Sequence, residues 1–231
     1  MAIVLITGAN RGLGLEFCRQ YAGEGWAVIA CCRKPEQSLE LIRLARQYPA
    51  IQLEALDVAD FDQVDAVSRK LSNTVIDILI NNAGVYGDTQ ANGFGRLDYE
   101  AWINTLRVNT LAPVKMAEAF LQQLKAGDKK LIVNVSSLMG SIADNDSGGS
   151  LLYRSSKAAL NAAMKSLAID LEHQSVGVLI FHPGWVKTDM GGPNALINVD
   201  ASISGMRRVI DNFSLDQSGR FVKYDGTPMP W

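Results

Sequence analysis

The chain has 231 residues, of which 48% are hydrophobic and 20% are charged. These proportions are typical of a folded globular protein and exclude extensive disorder. Because a domain averages about 150 residues, the length favours one large α/β domain over two. The 22 Lys and Arg residues against 24 Asp and Glu residues give a net charge of −2. That charge is too close to neutral to attract a polyphosphate backbone, so no nucleic-acid partner is expected.

The number and spacing of the cysteines and histidines indicate the cellular compartment and whether a metal site is expected. There are 3 cysteines, two of them adjacent at Cys31 and Cys32, and 2 histidines. An odd set of this kind is a poor basis for disulfides and favours a reducing cytoplasm. Neither histidine lies near a cysteine at ligand spacing, so no metal site is expected. The apolar run 1–6 lacks the features of a signal peptide, and no apolar run reaches the roughly 20 residues of a membrane span. We therefore expect a cytoplasmic protein without membrane contact.

Short runs rich in Val and Ile alternate with segments of helical periodicity. The predicted strands are 3–6, 27–30, 51–56, 75–80, 131–135 and 176–181. The predicted helices are 13–21, 38–46, 61–71, 99–124 and 155–171. Most of the strands are continuously apolar, as expected when helices cover both faces of a parallel sheet. The alternation predicts right-handed crossovers and a doubly wound α/β fold, whose binding crevice lies at the carboxyl ends of the strands.

A glycine-rich turn follows the first predicted strand and runs directly into the first helix. Its glycines are Gly8, Gly12 and Gly14. At such a turn the first glycine can adopt a tight backbone angle, the second lets the main chain approach a pyrophosphate, and the third allows close helix packing. The anion then binds the free amides of the helix N-terminus. An ordinary glycine-rich turn is the alternative interpretation, because three glycines alone are a weak signal.

The end of the second strand bears on the choice of dinucleotide. An NAD site usually has an acidic residue there that binds the ribose hydroxyls, but residues 28–34 contain no carboxylate. Arg33, together with Arg11 in the glycine turn, could instead bind a 2′-phosphate through charge-assisted hydrogen bonds. The sequence therefore predicts NADP(H). The alternative is that both arginines are merely solvated surface groups.

Candidate reacting groups occur at a helix start and at a strand end. Tyr153 and Lys157 are four residues apart, so they share one helix face. An ammonium beside a phenol favours the phenolate and lowers the pKa of the phenol from its usual value of about 10. The strand 131–135 is followed by Ser136 and Ser137, either of which could donate a hydrogen bond to a carbonyl oxygen. A surface Tyr–Lys contact is the alternative for the helical pair.

These features together resemble the short-chain dehydrogenase/reductase family over essentially the whole chain. The matching residues are the turn 7–14, Asp57 and Val58, the segment 81–84, Asn109, Ser137, Tyr153, Lys157, Pro183, Gly184 and Thr188. The stretches 137–142, 153–161, 182–190 and 224–228 are similar to the subgroup that contains C-factor and the Sniffer carbonyl reductases. The resemblance implies a single Rossmann domain over 1–231, with a mostly parallel sheet of seven strands.

The resemblance also implies roles for individual residues. Tyr153 would donate the proton in carbonyl reduction and Ser137 would polarise the carbonyl. Lys157 would hold the nicotinamide ribose, and Asn109 would position a water that relays protons toward Lys157. The residues expected to contact NADP(H) are Gly8, Asn10, Arg11, Gly12, Leu13, Gly14, Arg33, Asp57, Val58, Asn82, Ala83, Gly84, Tyr153, Lys157, Pro183, Gly184, Val186 and Thr188.

One departure from the family pattern limits what can be transferred. Ser137 lies 16 positions before Tyr153, against the dozen or so common in the family, and the excess falls in 144–149. This insertion would border the substrate cleft, so the particular substrate cannot be taken from other members of the family. The prediction is NADPH-dependent reduction of a small-molecule ketone, aldehyde or quinone, with an alcohol as the substrate of the reverse reaction. The choice of Ser137 over Ser136 rests on the family pattern. A non-catalytic NADP-binding sensor of the C-factor type is the alternative function, and a homodimer or homotetramer is an expected assembly.

Overall fold

Seven parallel strands form one sheet in the computed structural model, which describes residues 1–89, 91 and 93–231. In chain order they are β1 (Ile3–Thr7), β2 (Ala27–Cys32), β3 (Ile51–Ala55), β4 (Ile78–Asn81), β5 (Leu131–Val135), β6 (Gly177–His182) and β7 (Arg220–Lys223). Their spatial order is β3-β2-β1-β4-β5-β6-β7. The order reverses between β1 and β4, and this reversal opens the crevice in which doubly wound folds bind their ligands.

Helices connect the strands. They are α1 (Gly12–Gly23), α2 (Leu39–Gln47), α3 (Phe61–Lys70), α4 (Tyr99–Leu106), α5 (Ala112–Ala119), α6 (Leu121–Lys125), α7 (Leu151–Asp170) and α8 (Val199–Asp211). A π-helical turn, Arg107–Leu111, joins α4 to α5. Within the described residues, no helix is both long and apolar enough to cross a membrane.

The core has two parts, one on each face of the sheet. Successive side chains of a strand point to opposite faces. Val4 and Ile6 accordingly belong to the cluster that holds Phe17 of α1 and Met206 of α8. Leu5 belongs to the other cluster, which receives side chains of α3, α5 and α7. Helices therefore cover both faces, and the predicted doubly wound fold is confirmed.

The six strands predicted from apolar runs are all present, within three residues at each end. The prediction of one helix over 99–124 was wrong, because the π turn and the later break at Phe120 divide this segment. The helix predicted to begin at 155 begins at Leu151. The apolar pattern did not predict β7 or α8.

Candidate active site

The glycine turn follows β1 with the backbone that the sequence predicts. Gly8 and Gly12 have φ angles of +65° and +53°, in the left-handed region that glycine adopts without strain. A Cβ on Gly14 would clash with the carbonyl oxygen of Gly8. The first turn of α1 thus packs directly on the turn that precedes it, which only glycine permits.

The N-terminus of α1 has free backbone donors. Arg11 is the N-cap residue, and within the described structure no side chain caps this helix and no acidic residue lies in its first turn. The first helical hydrogen bond runs from the Leu15 N–H to the Arg11 carbonyl, at 3.2 Å. The N–H groups of the first turn therefore have no helical acceptor, and together with the helix dipole they form a site suited to an anion.

Asn82 connects the glycine turn to β4. Its Nδ2 donates to the carbonyl oxygens of Thr7 and Gly8, at 2.9 and 3.2 Å. The Thr7 hydroxyl oxygen accepts hydrogen bonds from the backbone N–H groups of Asn82 and Ala83, both at 3.0 Å. The side-chain amide of Asn82 therefore holds the glycine turn against the end of β4, in the crevice where the strand order reverses.

The two serines after β5 point in different directions. The Ser136 hydroxyl is buried and hydrogen-bonds to Oδ1 of Asn161 at 2.6 Å. Ser137 lies close enough to the Tyr153 phenol to lower its pKa, in opposition to burial. Its Oγ also accepts the Met139 N–H at 3.2 Å. The structure therefore brings Ser137, and not Ser136, to Tyr153.

Tyr153 and Lys157 are buried together on the first two turns of α7. The Lys157 Nζ lies 5.8 Å from the centroid of the Tyr153 ring and donates to the Val135 carbonyl oxygen at 2.8 Å. Burial lowers the pKa of Lys157 to about 8. Burial also raises the pKa of Tyr153 to about 12. Desolvation of the phenolate is the largest cause of this rise, and the hydrogen bond from Ser137 opposes it.

Asn109 lies in the π turn and is fully buried. Its Nδ2 donates to the Val85 carbonyl at 2.8 Å and to the Ser156 hydroxyl at 2.9 Å, while its Oδ1 accepts the Val85 N–H at 2.9 Å. The residue four positions later is Pro113, which has no N–H to donate to the Asn109 carbonyl. The side chain of Asn109 thus holds the loop that follows β4. The backbone carbonyl of Asn109 lacks the N–H donor that an α-helix would provide four residues later.

Two predicted cofactor residues lie near the ends of β2 and β3. Arg33 follows β2 and is exposed. Asp57 follows β3, and its Oδ1 accepts the Ala59 N–H at 3.0 Å, which fixes the turn that contains the buried Val58. Both side chains lie on the carboxyl edge of the sheet, as the parallel topology requires.

The loop after β6 approaches the glycine turn. It starts at Pro183 and Gly184, whose φ is +87°. Thr188 closes the loop, because its Oγ1 accepts the Gly191 N–H at 3.1 Å. The neighbouring Asp189 pairs with Arg11, a contact that the sequence did not predict. The Arg11 guanidinium is therefore paired with a carboxylate in this structure.

His182 at the end of β6 supports the serine loop. Its Nδ1 accepts the Leu138 N–H at 3.1 Å. Burial lowers the pKa of His182 to about 4, so the ring is neutral and acts as an acceptor at physiological pH. Through this hydrogen bond the ring holds the segment after Ser137.

Two residues of the loop after β4 contribute to the site, and of these Asp88 was not predicted. The Tyr86 ring lies 4.9 Å from the Tyr153 ring, centroid to centroid. The Asp88 carboxylate accepts backbone N–H groups at the start of α7. A cavity of about 310 Å³ lies beside this contact and is lined by Asp88, Gly93, Phe94, Leu97, Gly149, Ser150 and Leu151. None of the predicted catalytic side chains lines that cavity.

Comparison with known proteins identifies the family. The family model for short chain dehydrogenases matches residues 2–196. The chain belongs to the short-chain dehydrogenase/reductase family. The resemblance drawn from its motifs is confirmed, and the family consists of oxidoreductases that act on small molecules.

Three relatives are similar to this short-chain dehydrogenase/reductase. C-signal of Myxococcus xanthus is 45% identical over 156 residues, which cover 68% of this chain and 93% of that protein. The carbonyl reductase Sniffer of D. melanogaster has a TM-score of 0.90 and 35% identity, and the match covers 100% of this chain and 99% of that chain. The NADPH bound carbonyl reductase from chicken fatty liver has a TM-score of 0.92 and 34% identity, with 100% and 94% coverage.

Proposed function

We propose that this short-chain dehydrogenase/reductase reduces a carbonyl compound to an alcohol with NADPH. The observation that carries the proposal is the buried pair Tyr153 and Lys157, with the half-buried Ser137 next to the phenol, beside a crevice with free helix amides. Sniffer is a carbonyl reductase, and the chicken protein is a carbonyl reductase with bound NADPH. A ketone, an aldehyde or a quinone is the proposed substrate class.

The crevice fits a phosphorylated dinucleotide. The free N–H groups of α1 would hold the pyrophosphate, because a helix N-terminus favours anions. Arg33 would hold the 2′-phosphate, since residues 28–34 contain no carboxylate to bind unsubstituted ribose hydroxyls. Asp57, Asn82 and Gly184 lie along the same edge of the sheet and would complete the binding surface.

The proposed chemistry assigns the proton to Tyr153. When bound, NADPH supplies the hydride that reduces the carbonyl carbon. With its pKa raised to about 12, the Tyr153 phenol is protonated at neutral pH and can donate its proton to the carbonyl oxygen. Ser137 would donate a hydrogen bond to the same oxygen as negative charge develops on it.

Lys157 and Asn109 would support this proton transfer. The Lys157 ammonium would hold the nicotinamide ribose and stabilise the phenolate that remains after Tyr153 has donated its proton. The Asn109 carbonyl, which lacks an α-helical donor, would bind a water that returns a proton through Lys157. Both roles use groups already held in place by hydrogen bonds to Val135 and Val85.

The first experiment measures NADPH oxidation by the purified protein with a panel of ketones, aldehydes and quinones. We expect Tyr153→Phe to lower kcat at least about 100-fold, because a positioned proton donor typically contributes 10²–10⁴-fold. NADPH affinity, measured by fluorescence, should stay within twofold. Tyr48→Phe, which removes a phenol outside the site, is the matched control. Undiminished turnover by Tyr153→Phe would exclude Tyr153 as the donor.

The similarity to C-signal favours a second candidate, a non-catalytic NADP-binding sensor. This function requires cofactor binding and no proton donor. It would be supported if the wild-type protein bound NADPH but turned over no carbonyl compound in the panel.

A further inference from the structure

The three residues that precede α7 have an unusual backbone conformation. Gly148, Gly149 and Ser150 are all left-handed, with φ angles of +64°, +67° and +46°. Ser150 occupies the N-cap position, but its side chain makes no cap hydrogen bond. The first backbone N–H groups of a helix need acceptors from outside the helix. The segment that precedes α7 therefore leaves its first turn without a local side-chain cap.

Asp88 supplies the missing acceptors from the loop after β4. Its Oδ2 accepts the Tyr153 N–H at 2.8 Å, and its Oδ1 accepts the Leu152 N–H at 3.2 Å. These are the second and third helical positions, whose N–H groups an N-cap side chain normally satisfies. A carboxylate distant in sequence thus replaces the local cap, and one of its two hydrogen bonds is to the backbone of the proposed proton donor.

The loop that carries Asp88 is itself fixed. Gly87 has a φ of +79°, and a Cβ there would clash with the Thr105 hydroxyl. The preceding Tyr86 hydroxyl hydrogen-bonds to the Ser150 hydroxyl at 2.7 Å. At the base of the loop, the Asn109 side chain holds both backbone polar groups of Val85. Asp88 is therefore presented to α7 from a segment anchored to α4, to the π turn and to the helix start.

We propose that Asp88 is a positioning residue for Tyr153: its carboxylate anchors the backbone of the proton donor in place of the local cap that Ser150 does not provide. This inference rests on the proposed function, because it assigns Tyr153 as the donor. Loss of the anchor would let the first turn of α7 fray and move the phenol away from Ser137. A displacement of about 1 Å can cost on the order of 100-fold in rate. Most of the proposed NADPH contacts lie outside α7, in the glycine turn, at Arg33 and in the loop after β6, so loss of the anchor should affect NADPH binding much less than kcat.

The experiment compares Asp88→Ala with Asp88→Asn and with Asp98→Ala. Asp98 caps α4 by accepting the Ala101 N–H at 3.0 Å, so its variant loses an equivalent cap elsewhere. We expect Asp88→Ala to lower kcat at least tenfold while KM for NADPH stays within twofold. The kcat of Asp88→Asn should lie between those of the wild-type protein and Asp88→Ala, because an amide has one acceptor oxygen and can keep only one of the two hydrogen bonds. Asp98→Ala should lose a similar few degrees in Tm and keep its kcat.

Amide hydrogen exchange supplies a readout that needs no turnover. The backbone amides of residues 151–156 should exchange at least tenfold faster in Asp88→Ala than in the wild-type protein or Asp98→Ala. Unchanged exchange there, or equal losses of kcat in Asp88→Ala and Asp98→Ala, would overturn the proposal. If the wild-type protein reduces no carbonyl, the proposed function fails, and the exchange rates alone then decide whether Asp88 anchors the Tyr153 backbone.

Discussion

Tyr153 and Lys157 are both buried, and desolvation is the largest cause of the pKa shift of each. Desolvation disfavours the charged form of each group. It therefore raises the pKa of Tyr153 to about 12 and lowers the pKa of Lys157 to about 8. The free protein therefore holds a neutral phenol next to an ammonium whose charge is costly. A bound ribose and a carbonyl oxygen would give both groups the polar partners that burial removes.

The lowered pKa of Lys157 predicts a pH-dependent stability difference. Between pH 8 and the ordinary Lys value of 10.5, the folded protein binds fewer protons than the unfolded chain, so the contribution of Lys157 to the free energy of unfolding rises with pH. At pH 7 the full cost of the buried ammonium is present. We expect the stability of Lys157→Met relative to wild type to fall by about 2 kcal/mol from pH 7 to pH 10.

Urea unfolding without cofactor at pH 7, 8, 9 and 10 measures this difference. Lys165→Met, which removes an exposed lysine of the same helix, is the control and should show no such trend. A difference between Lys157→Met and wild type that stayed constant over this range would mean that Lys157 titrates normally.

Sequence reasoning located residues whose role depends on local spacing. Tyr153 and Lys157 share a helix face because they are four residues apart, and Ser136 and Ser137 diverge because strand side chains alternate. It could not find Asp88 or Asp189. Both side chains contact segments that are distant in sequence, and neither periodicity nor a local motif predicts such long-range contacts.

Elements were predictable where burial imposed a pattern. The strands β1, β2, β4, β5 and β6 are almost wholly buried, so each is a run of apolar residues. β7 is an edge strand of four residues with Arg220 and Lys223 at its ends, and only its two central residues are buried. The π turn was also unpredictable, because its sequence keeps the helical periodicity on both sides.

The close packing of α1 on the glycine turn predicts different outcomes for two glycines of that helix. Ala at position 14 would clash with the Gly8 carbonyl oxygen, whereas a Cβ at Gly23 meets only the Tyr48 hydroxyl at 3.7 Å. Overpacking of this kind costs about 1–3 kcal/mol or more. We expect Gly14→Ala to lower Tm by at least about 4 °C. Gly23→Ala should leave Tm unchanged or slightly higher, and equal effects of the two substitutions in differential scanning calorimetry would contradict this packing argument.

At the scale of the whole molecule, the candidate site joins both halves of the sheet. The glycine turn and Arg33 follow β1 and β2, whereas Ser137 and Gly184 follow β5 and β6. Core residues of β1 and β6 lie in the same two clusters. We therefore expect residues 1–231 to unfold in one cooperative transition, and a ligand that spans the crevice should stabilise the entire chain.

This expectation can be measured as a thermal shift. A ligand at 100 times its Kd stabilises the folded state by about 2.7 kcal/mol, which corresponds to roughly 5–10 °C in Tm for a chain of this size. NADPH should shift one calorimetric transition by this amount, and NADH at the same concentration should shift it less.

Arg33→Asp should reduce the NADPH shift to the size of the NADH shift, because the 2′-phosphate loses its guanidinium partner. Arg46→Asp makes the same charge change on the exposed face of α2 and should keep the wild-type preference. Equal NADPH shifts in the wild-type protein and Arg33→Asp would exclude Arg33 as the phosphate-binding residue, and two separate transitions would exclude a single cooperative domain.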